Sequence, residues 1–198
     1  MGAAFVAVLE HHLDSPAVLA LPRALDAGSA PGLAAALATL RATLAPAGPP
    51  AGDEPGWRWD YIGAAPAPAD FWASHNPLIL DGPAGVWLTI EPRVCAVGCG
   101  VGWALFLSDR RVRGAVRRAC YELAQLLGSP RAVYLTDDEY DALLAADPTG
   151  AGYTFDRIVA WLHERHGPPV LAGEAPYLES ETSGYIMDTF EDFMGHAR

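Results

Sequence analysis

The fold is decided by residues 109–138, which read DRRVRGAVRRACYELAQLLGSPRAVYLTDD. Apolar residues recur every three or four positions, which predicts an amphipathic helix over 109–127. Ser108 is a good N-cap for this helix, and Gly128 stands where a left-handed residue ends one. Residues 131–136 then predict a strand. The apolar face of the helix comprises Val112, Val116, Ala119, Leu123 and Leu126.

The rest of the chain predicts further elements around this unit. The predicted strands are 4–10, 57–62, 85–91, 93–98 and 103–107, with 85–91 and 93–98 as a candidate hairpin. The predicted helices are 31–45, 68–74, 137–146, 155–166 and 185–194. Because the strands group together and the helices come largely after them, we predict an α+β fold, with a mixed or antiparallel central sheet and helices packed mainly on one face. Residues 1–198 are interpreted as a single domain, with a Pro/Gly-rich loop at 46–56 and an acidic C-terminal segment at 174–198.

The chain carries a strong negative charge. Its 24 acidic and 13 basic residues give a formal net charge of −11. An acidic surface repels the phosphates of nucleic acid and of anionic membranes, so neither is expected as a partner. Such a surface suits a protein partner with a basic surface, and simple solubility is the alternative explanation.

The sequence predicts a cytoplasmic protein. Its three cysteines are an odd number, which favours reduced thiols over a disulfide framework. The first residues read MGAAFVAVLE and lack the positive charge that opens a signal peptide. No apolar run reaches the roughly 20 residues that a membrane-spanning helix needs.

Neither the cysteines nor the histidines predict a metal site, and no cofactor is expected. Cys95 and Cys99 are spaced C-x3-C, but a structural zinc site needs a second pair of ligands, so we expect free, buried thiols. His163 and His166 stand three positions apart, one short of the zincin spacing H-E-x-x-H. We interpret His166 as a residue that interacts with the C-terminus of its own helix.

No catalytic residue is predicted, since the chain contains neither a G-x-S-x-G motif nor a Walker A loop. Residues 98–102 read GCGVG, and backbone amides of such a run can approach an anion. An enzyme of another family would use this run as its site. A bulge or a tight turn between strands is the alternative interpretation of the same residues.

Charged residues cluster on two of the predicted helices. Five of the 13 arginines lie between Arg110 and Arg118, where they form either a site for an acidic group or a solvated face. Four carboxylates crowd the start of the next helix between Asp137 and Asp141, where the helix dipole stabilises negative charge. This second group lacks the D-x-D-x-D-G pattern of a calcium loop.

The C-terminal segment, residues 174–198, combines acidic residues with aromatic ones. Aromatic side chains ringed by carboxylates suit an interface with a basic protein. A helix docked on the protein's own core is the alternative. The predicted partner-binding residues are Tyr177, Glu179, Glu181, Tyr185, Phe190, Glu191 and Asp192.

The second half of the chain has a distinctive order of segments. An Arg-rich helix ends in LAQLLGS, the strand RAVYLTDD follows, and the helix TFDRIVAWLHERHGPP comes after a loop. Over residues 103–169 this order resembles the immunity proteins, small bacterial proteins encoded beside polymorphic toxins. The resemblance implies a non-enzymatic α+β protein that binds and blocks one cognate toxin, and it carries over no functional residue.

We therefore predict a non-enzymatic protein-binding module, an immunity protein or inhibitor that neutralises a cognate bacterial toxin with a basic surface. Two alternatives stay open: an enzyme of another family, and a structural or scaffolding subunit. An enzyme should show a deep polar pocket with convergent titratable groups. An inhibitor should show a flat acidic surface with exposed aromatic side chains.

Overall fold

A mixed β-sheet forms the centre of the protein. The computed structural model describes residues 2–44, 56–60, 78–146, 154–172 and 184–194. Its strands in these ranges are β1 (Ala4–Glu10), β2 (Arg58–Trp59), β3 (Leu78–Asp81), β4 (Trp87–Ile90), β5 (Val94–Gly102), β6 (Ala132–Thr136), β7 (Val170–Leu171) and β8 (Ile186–Asp188). They lie in the order β2-β3-β4-β5-β1-β6-β8-β7. All neighbours pair antiparallel except β7 and β8, which are parallel.

Helices pack on both faces of this sheet. In the described ranges they are α1 (Ser15–Asp26), α2 (Leu33–Leu44), α3 (Trp103–Ser108), α4 (Arg110–Leu127), α5 (Asp137–Ala146), α6 (Phe155–His166) and α7 (Glu191–Met194). Buried side chains of α1 to α4 form a first core on one face, and those of α5 and α6 form a second core on the opposite face. The prediction of an α+β fold with a mixed central sheet is confirmed. Helices cover both faces rather than one, although the first face, with α1 to α4, carries more of them than the second, with α5 and α6.

The central strands supply side chains to both cores. In β1, Phe5, Ala7 and Leu9 belong to the first core, whereas Val6 and Val8 belong to the second. Successive side chains of a strand point to opposite faces, so a strand covered on both sides must be apolar at nearly every position. The same requirement explains the continuous apolar runs of β5 and β6.

Helix α4 begins one residue later than the predicted cap implies. Its N-cap is Asp109, whose carboxylate accepts hydrogen bonds from the N–H groups of Arg111 and Val112 at 2.7 and 3.1 Å. Ser108 instead ends α3 and donates its hydroxyl to a backbone carbonyl of that helix at 2.8 Å. The predicted C-terminus is confirmed, because Gly128 adopts a left-handed φ of 79°.

Two segments differ in type from their predicted structure. Residues 103–107, predicted as a strand, form α3, which packs Trp103 and Phe106 against Phe5 of the sheet. Residues 185–194, predicted as one helix, form β8 and the single turn α7. A short apolar run does not distinguish a strand from a buried helix by itself. Residues 186–188 form a strand rather than a helix because they pair with β6.

The glycine-rich run 98–102 lies within β5, so of the two predicted alternatives, a bulge or a tight turn, the structure agrees with the bulge. Its pairing with β1 shifts between Ala4↔Gly102 and Val6↔Gly98, an irregularity of the β-bulge kind. The indole of Trp87 packs over Gly98, where a Cβ atom would lie 2.0 Å from two ring atoms. This glycine therefore makes room for an aromatic ring of the neighbouring strand.

The remaining predicted elements are either confirmed or lie at least partly outside the described residues. The strand over 4–10, the hairpin of β4 and β5, and the helices over 31–45, 137–146 and 155–166 are confirmed. Of the strand predicted over 57–62, the structure assigns only β2 as a strand, and residues 61–62 lie outside the described ranges. The predicted helix 68–74 and all but the last residue of the predicted loop 46–56 also lie outside them. That the chain is one domain stays a prediction. None of the described helices is long and apolar enough to cross a membrane.

Candidate functional site

The C-terminal segment packs into the protein where the structure describes it, over residues 184–194. Tyr185 and Phe190, predicted to face a partner, are only 2% and 0% exposed. Phe190 packs edge-on against Tyr121 of α4, with the ring centroids 5.7 Å apart. The expectation of exposed aromatic rings is therefore wrong for these two residues, because the pairing of β8 with β6 turns the segment inward. Tyr177, Glu179 and Glu181 lie outside the described residues.

Asp188 on β8 is the centre of a buried polar network. Its carboxylate accepts hydrogen bonds from Nε and Nη2 of Arg117 at 2.6 and 3.0 Å. The hydroxyl of Tyr134 donates to it at 2.8 Å, and the N–H of Phe190 donates at 2.9 Å. Arg117 also donates two hydrogen bonds of 2.9 Å to Asp192. Asp188 is not among the partner-binding residues predicted from the sequence, although a carboxylate between the apolar residues of YIMDTF was the available signal.

The charged groups of this network are bonded to each other, with the guanidinium of Arg117 donating to the carboxylates of both Asp188 and Asp192. Burial alone would lower the pKa of Arg117, but hydrogen bonds to Asp188 and Asp192 outweigh burial and raise it. Burial raises the pKa of Tyr134. Burial also opposes ionisation of Asp192, yet its hydrogen bonds with Arg117 hold its pKa below the usual value. The predicted partner residue Asp192 thus already has a partner within the chain, while Glu191 is exposed.

The three cysteines are free and buried, as predicted. Burial raises the pKa of Cys95 to about 12 and that of Cys99 to about 11, and it raises the pKa of Cys120 well above its usual value. Only the thiolate is a nucleophile or a metal ligand, so these thiols are inert core side chains at neutral pH. Among the described residues, no group of three or more His, Cys, Asp and Glu side chains is placed to hold a metal ion.

Two histidines are held by neighbouring groups. His11 is fully buried; its Nε2 donates to the carbonyl of Glu91 at 2.5 Å, and its Nδ1 accepts from the N–H of Leu13 at 3.3 Å. His166 Nε2 lies 3.0 Å from Glu139 Oε2. This contact joins α6 to the start of α5, so His166 interacts with a second helix as well as standing at the end of its own.

Most of the arginines on α4 are engaged within the chain. Arg113 is 9% exposed and donates to a backbone carbonyl at the end of α3 at 2.6 Å. Arg118 lies 2.5 Å from the carboxylate four residues further along the helix. Arg117 takes part in the network described above. Arg110 and Arg111 are exposed at the start of the helix.

The outer surface of α5 and α6 is acidic. These two helices together carry six carboxylates and two arginines. One of the arginines, Arg165, lies 3.0 Å from the carboxylate of Glu139. We term the outer surface of α5 and α6 the acidic face, and it lies across the sheet from the arginine-rich α4. Its exposed carboxylates are Asp138, Asp141, Asp156 and Glu164.

An open groove of about 550 Å³ borders α6 on the acidic face, and we term it the α6 groove. Its surface is largely apolar. Two of its polar groups differ in their surroundings. Asp156 Oδ1 accepts a hydrogen bond from Arg131 at 2.9 Å, whereas the hydroxyl of Tyr185 is buried and forms no hydrogen bond with any described residue. The lining residues are Asp156, Val159, Ala160, His163, Glu164, Pro169 and Tyr185.

The structure brings together only part of the predicted site. Tyr185 was predicted as a contact residue, and it contributes to the α6 groove as a buried lining residue. The helical pattern predicted α6 but did not show which side of it borders β8, because that depends on sheet pairing distant in sequence.

No protein-family model matches the chain, and neither a curated protein nor a solved structure matches it.

Proposed function

We propose that this chain is a non-enzymatic protein-binding module of the bacterial cytoplasm, an immunity protein that neutralises a cognate toxin with a basic surface. The observation that carries the proposal is the acidic face, where exposed carboxylates accompany an open, largely apolar groove. The resemblance noted over residues 103–169 agrees with it, since that range includes α5 and α6.

The distribution of charge supports a basic partner. Carboxylates gathered on one side of a protein accelerate association with an oppositely charged surface and repel phosphate groups. Helix α4, across the sheet, carries five arginines. A basic surface would therefore approach α5 and α6 rather than α4. The proposed interface accordingly moves from the aromatic C-terminal segment to the acidic face.

The engagement of the buried polar groups supports binding over catalysis. Asp188 and Arg117 are hydrogen-bonded to each other, and both ring nitrogens of His11 have backbone partners. Enzymes instead hold titratable groups with perturbed pKa values in a pocket that the substrate reaches. The α6 groove is open and largely apolar, which suits an anchor side chain at the middle of a protein interface.

Growth protection and affinity test the proposal together. The protein encoded beside this chain in its genome is expressed in a bacterial host with and without the chain, and growth is recorded. We expect toxicity that the chain relieves. The affinity of the purified pair, measured by calorimetry, should fall as salt rises, because salt screens exposed charges beyond about 10 Å at 0.1 M. A neighbour that is neither toxic nor bound would overturn the proposal.

Charge variants locate the interface. Neutralising Asp138, Asp141 and Glu164 together to the corresponding amides should slow association about tenfold or more, since electrostatic steering contributes at least that much. The matched control replaces Arg110 and Arg111 by glutamine, and we expect no loss of the association rate. The reverse ranking of the two variants would place the interface on α4 and contradict the assignment to the acidic face.

A further inference from the structure

The walls of the α6 groove suit an unbranched aliphatic chain. Val159 and Ala160 of α6 line it together with Pro169, which precedes β7. A volume of about 550 Å³ accommodates one long side chain with its flanking backbone, within the roughly 300–1,000 Å³ of ordinary ligand sites. Apolar walls of this kind bind methylene groups by removing their surface from water.

One carboxylate on the groove is available to a ligand. Asp156 is already hydrogen-bonded to Arg131 at 2.9 Å. Glu164 is exposed and lies in the groove lining, and it forms no ion pair with any described residue. A cationic group that enters the groove therefore meets Glu164 as its free counter-ion.

The hydroxyl of Tyr185 is a second reason to expect a ligand in the groove, and it does not depend on the carboxylate charges. Tyr185 is 2% exposed, and its hydroxyl forms no hydrogen bond with any described residue. Buried polar atoms in native proteins almost always have a partner, so the hydroxyl of this groove-lining residue retains hydrogen-bonding capacity that the described residues do not use. A donor that enters the groove would supply the missing hydrogen bond.

We propose that the α6 groove binds an arginine side chain of the basic partner as its anchor. The inference rests on the proposed function for the identity of that partner. Arginine combines a three-carbon aliphatic stem with a planar guanidinium that carries five N–H donors, so it can reach a carboxylate and a hydroxyl at once. Lysine presents a single, strongly hydrated charge and matches this pair of acceptors less well.

The probe is Nα-acetyl-arginine amide, titrated into the full chain labelled with ¹⁵N and followed by NMR. We expect a Kd on the order of 1 mM, as for a small ligand of modest efficiency, with shifts concentrated on the α6 amides. Nα-acetyl-lysine amide should bind several-fold more weakly, and Nα-acetyl-glutamate amide should not bind. Equal binding of all three, or arginine shifts elsewhere in the chain, would overturn the proposal.

Three variants test the residues named. Tyr185→Phe should weaken arginine binding about threefold or more while leaving the melting temperature unchanged or raised, because the hydroxyl has no described partner in the fold. Glu164→Gln should weaken binding about fivefold or more. Ala160→Trp should abolish binding by filling the groove, and its matched control is Ala146→Trp on the exposed end of α5. A Tyr185→Phe chain that melts lower and binds normally shows a structural hydroxyl and contradicts the assignment.

The toxin pair separates this inference from the proposed function. If the pair binds through the acidic face but Tyr185→Phe and Ala160→Trp leave its affinity unchanged, the anchor is wrong and the function stands. If the chain binds acetyl-arginine amide in the groove but neither binds nor neutralises the neighbouring protein, the proposed function is wrong, and the groove remains a guanidinium site of another role.

Discussion

Arg117 of α4 and Asp188 of β8 form a bidentate ion pair, with Nε 2.6 Å from Oδ2 and Nη2 3.0 Å from Oδ1. The planar guanidinium matches the two carboxylate oxygens, so the pair is directional as well as charged. The Asp188 side chain is 2% exposed, and the cost of desolvating a buried pair offsets much of its attraction. We infer that the pair specifies the register of β8, because only one pairing with β6 places Asp188 beside both Arg117 and Tyr134.

Replacing Asp188 should destabilise the protein strongly. Asp188→Ala removes the buried acceptor of both Arg117 and Tyr134, and breaking one partner of such a pair costs about 3–5 kcal/mol of unfolding free energy. Asp192→Ala is the matched control: its side chain is 49% exposed, and an exposed pair contributes at most about 1 kcal/mol. Urea denaturation measures both. Similar costs for the two variants would mean that Asp188 is not the centre of the network.

Replacement by alanine should have opposite effects on stability at two glycines. At Gly98 a Cβ atom would lie 2.0 Å from the indole of Trp87, so Gly98→Ala should cost about 1–3 kcal/mol, as overpacking does. At Gly114 in α4 nothing lies within 4 Å of the added atom, and alanine in a helix interior should stabilise by about 0.5–1 kcal/mol. Thermal unfolding compares them. In a Trp87→Ala background the cost at Gly98 should disappear, and its persistence would contradict a clash with the indole.

Local sequence signals predicted the position of most helices and strands, but they did not always distinguish a helix from a strand. The helix α4, its stop at Gly128 and the strand β6 follow from apolar spacing and from the left-handed conformation that glycine favours. No element was predicted for α1, which contains Pro22 in its interior, where proline normally argues against a helix. Residues 103–107 were assigned the wrong type because so short an apolar run fits either structure.

The site was less predictable than the fold, because it depends on contacts between segments distant in sequence. Tyr185 and Phe190 look like contact residues when acidic neighbours surround them in the sequence, yet β8 pairs with β6 and buries both. The α6 groove lies between residues of α6 and residues near β7 and β8. No periodicity in α6 shows that Tyr185 approaches it, since that contact follows from strand order rather than from local spacing.

The arginines of α4 should differ sharply in their contribution to stability. Arg113 is 9% exposed and donates to Leu107 O at 2.6 Å, so Arg113→Ala should cost about 1–3 kcal/mol. Arg111→Ala, at an exposed position, should change stability by no more than about 0.5 kcal/mol. Equal costs at Arg111 and Arg113 in chemical denaturation would show that the bond to Leu107 contributes little.

On the apolar face of α4, Leu123→Ala should lower the free energy of unfolding by about 2–5 kcal/mol, because Leu123 is 1% exposed.

His11 links the stability of the protein to pH. Burial lowers the pKa of its imidazole below the ordinary value near 6.5, and His12 and Arg93 add unfavourable positive charge. The hydrogen bond to the Glu91 carbonyl and the carboxylate of Glu10 act in the opposite direction but do not outweigh burial. The Nδ1 atom that a proton would occupy already accepts the N–H of Leu13 at 3.3 Å. The folded chain therefore resists a proton that the unfolded chain accepts.

This difference in proton binding at His11 determines whether the free energy of unfolding rises or falls with pH. Below about pH 6.5 the unfolded state holds more protons at this residue than the folded state, so the free energy of unfolding should fall as the pH drops from 7 to 5. We expect His11→Gln to be less stable than the natural chain at pH 7, because it loses a buried hydrogen-bonding ring, but to show a smaller decrease between pH 7 and 5. Urea denaturation at a series of pH values measures both slopes. If the two chains lose stability in parallel, carboxylate protonation accounts for the pH dependence and the role of His11 is wrong.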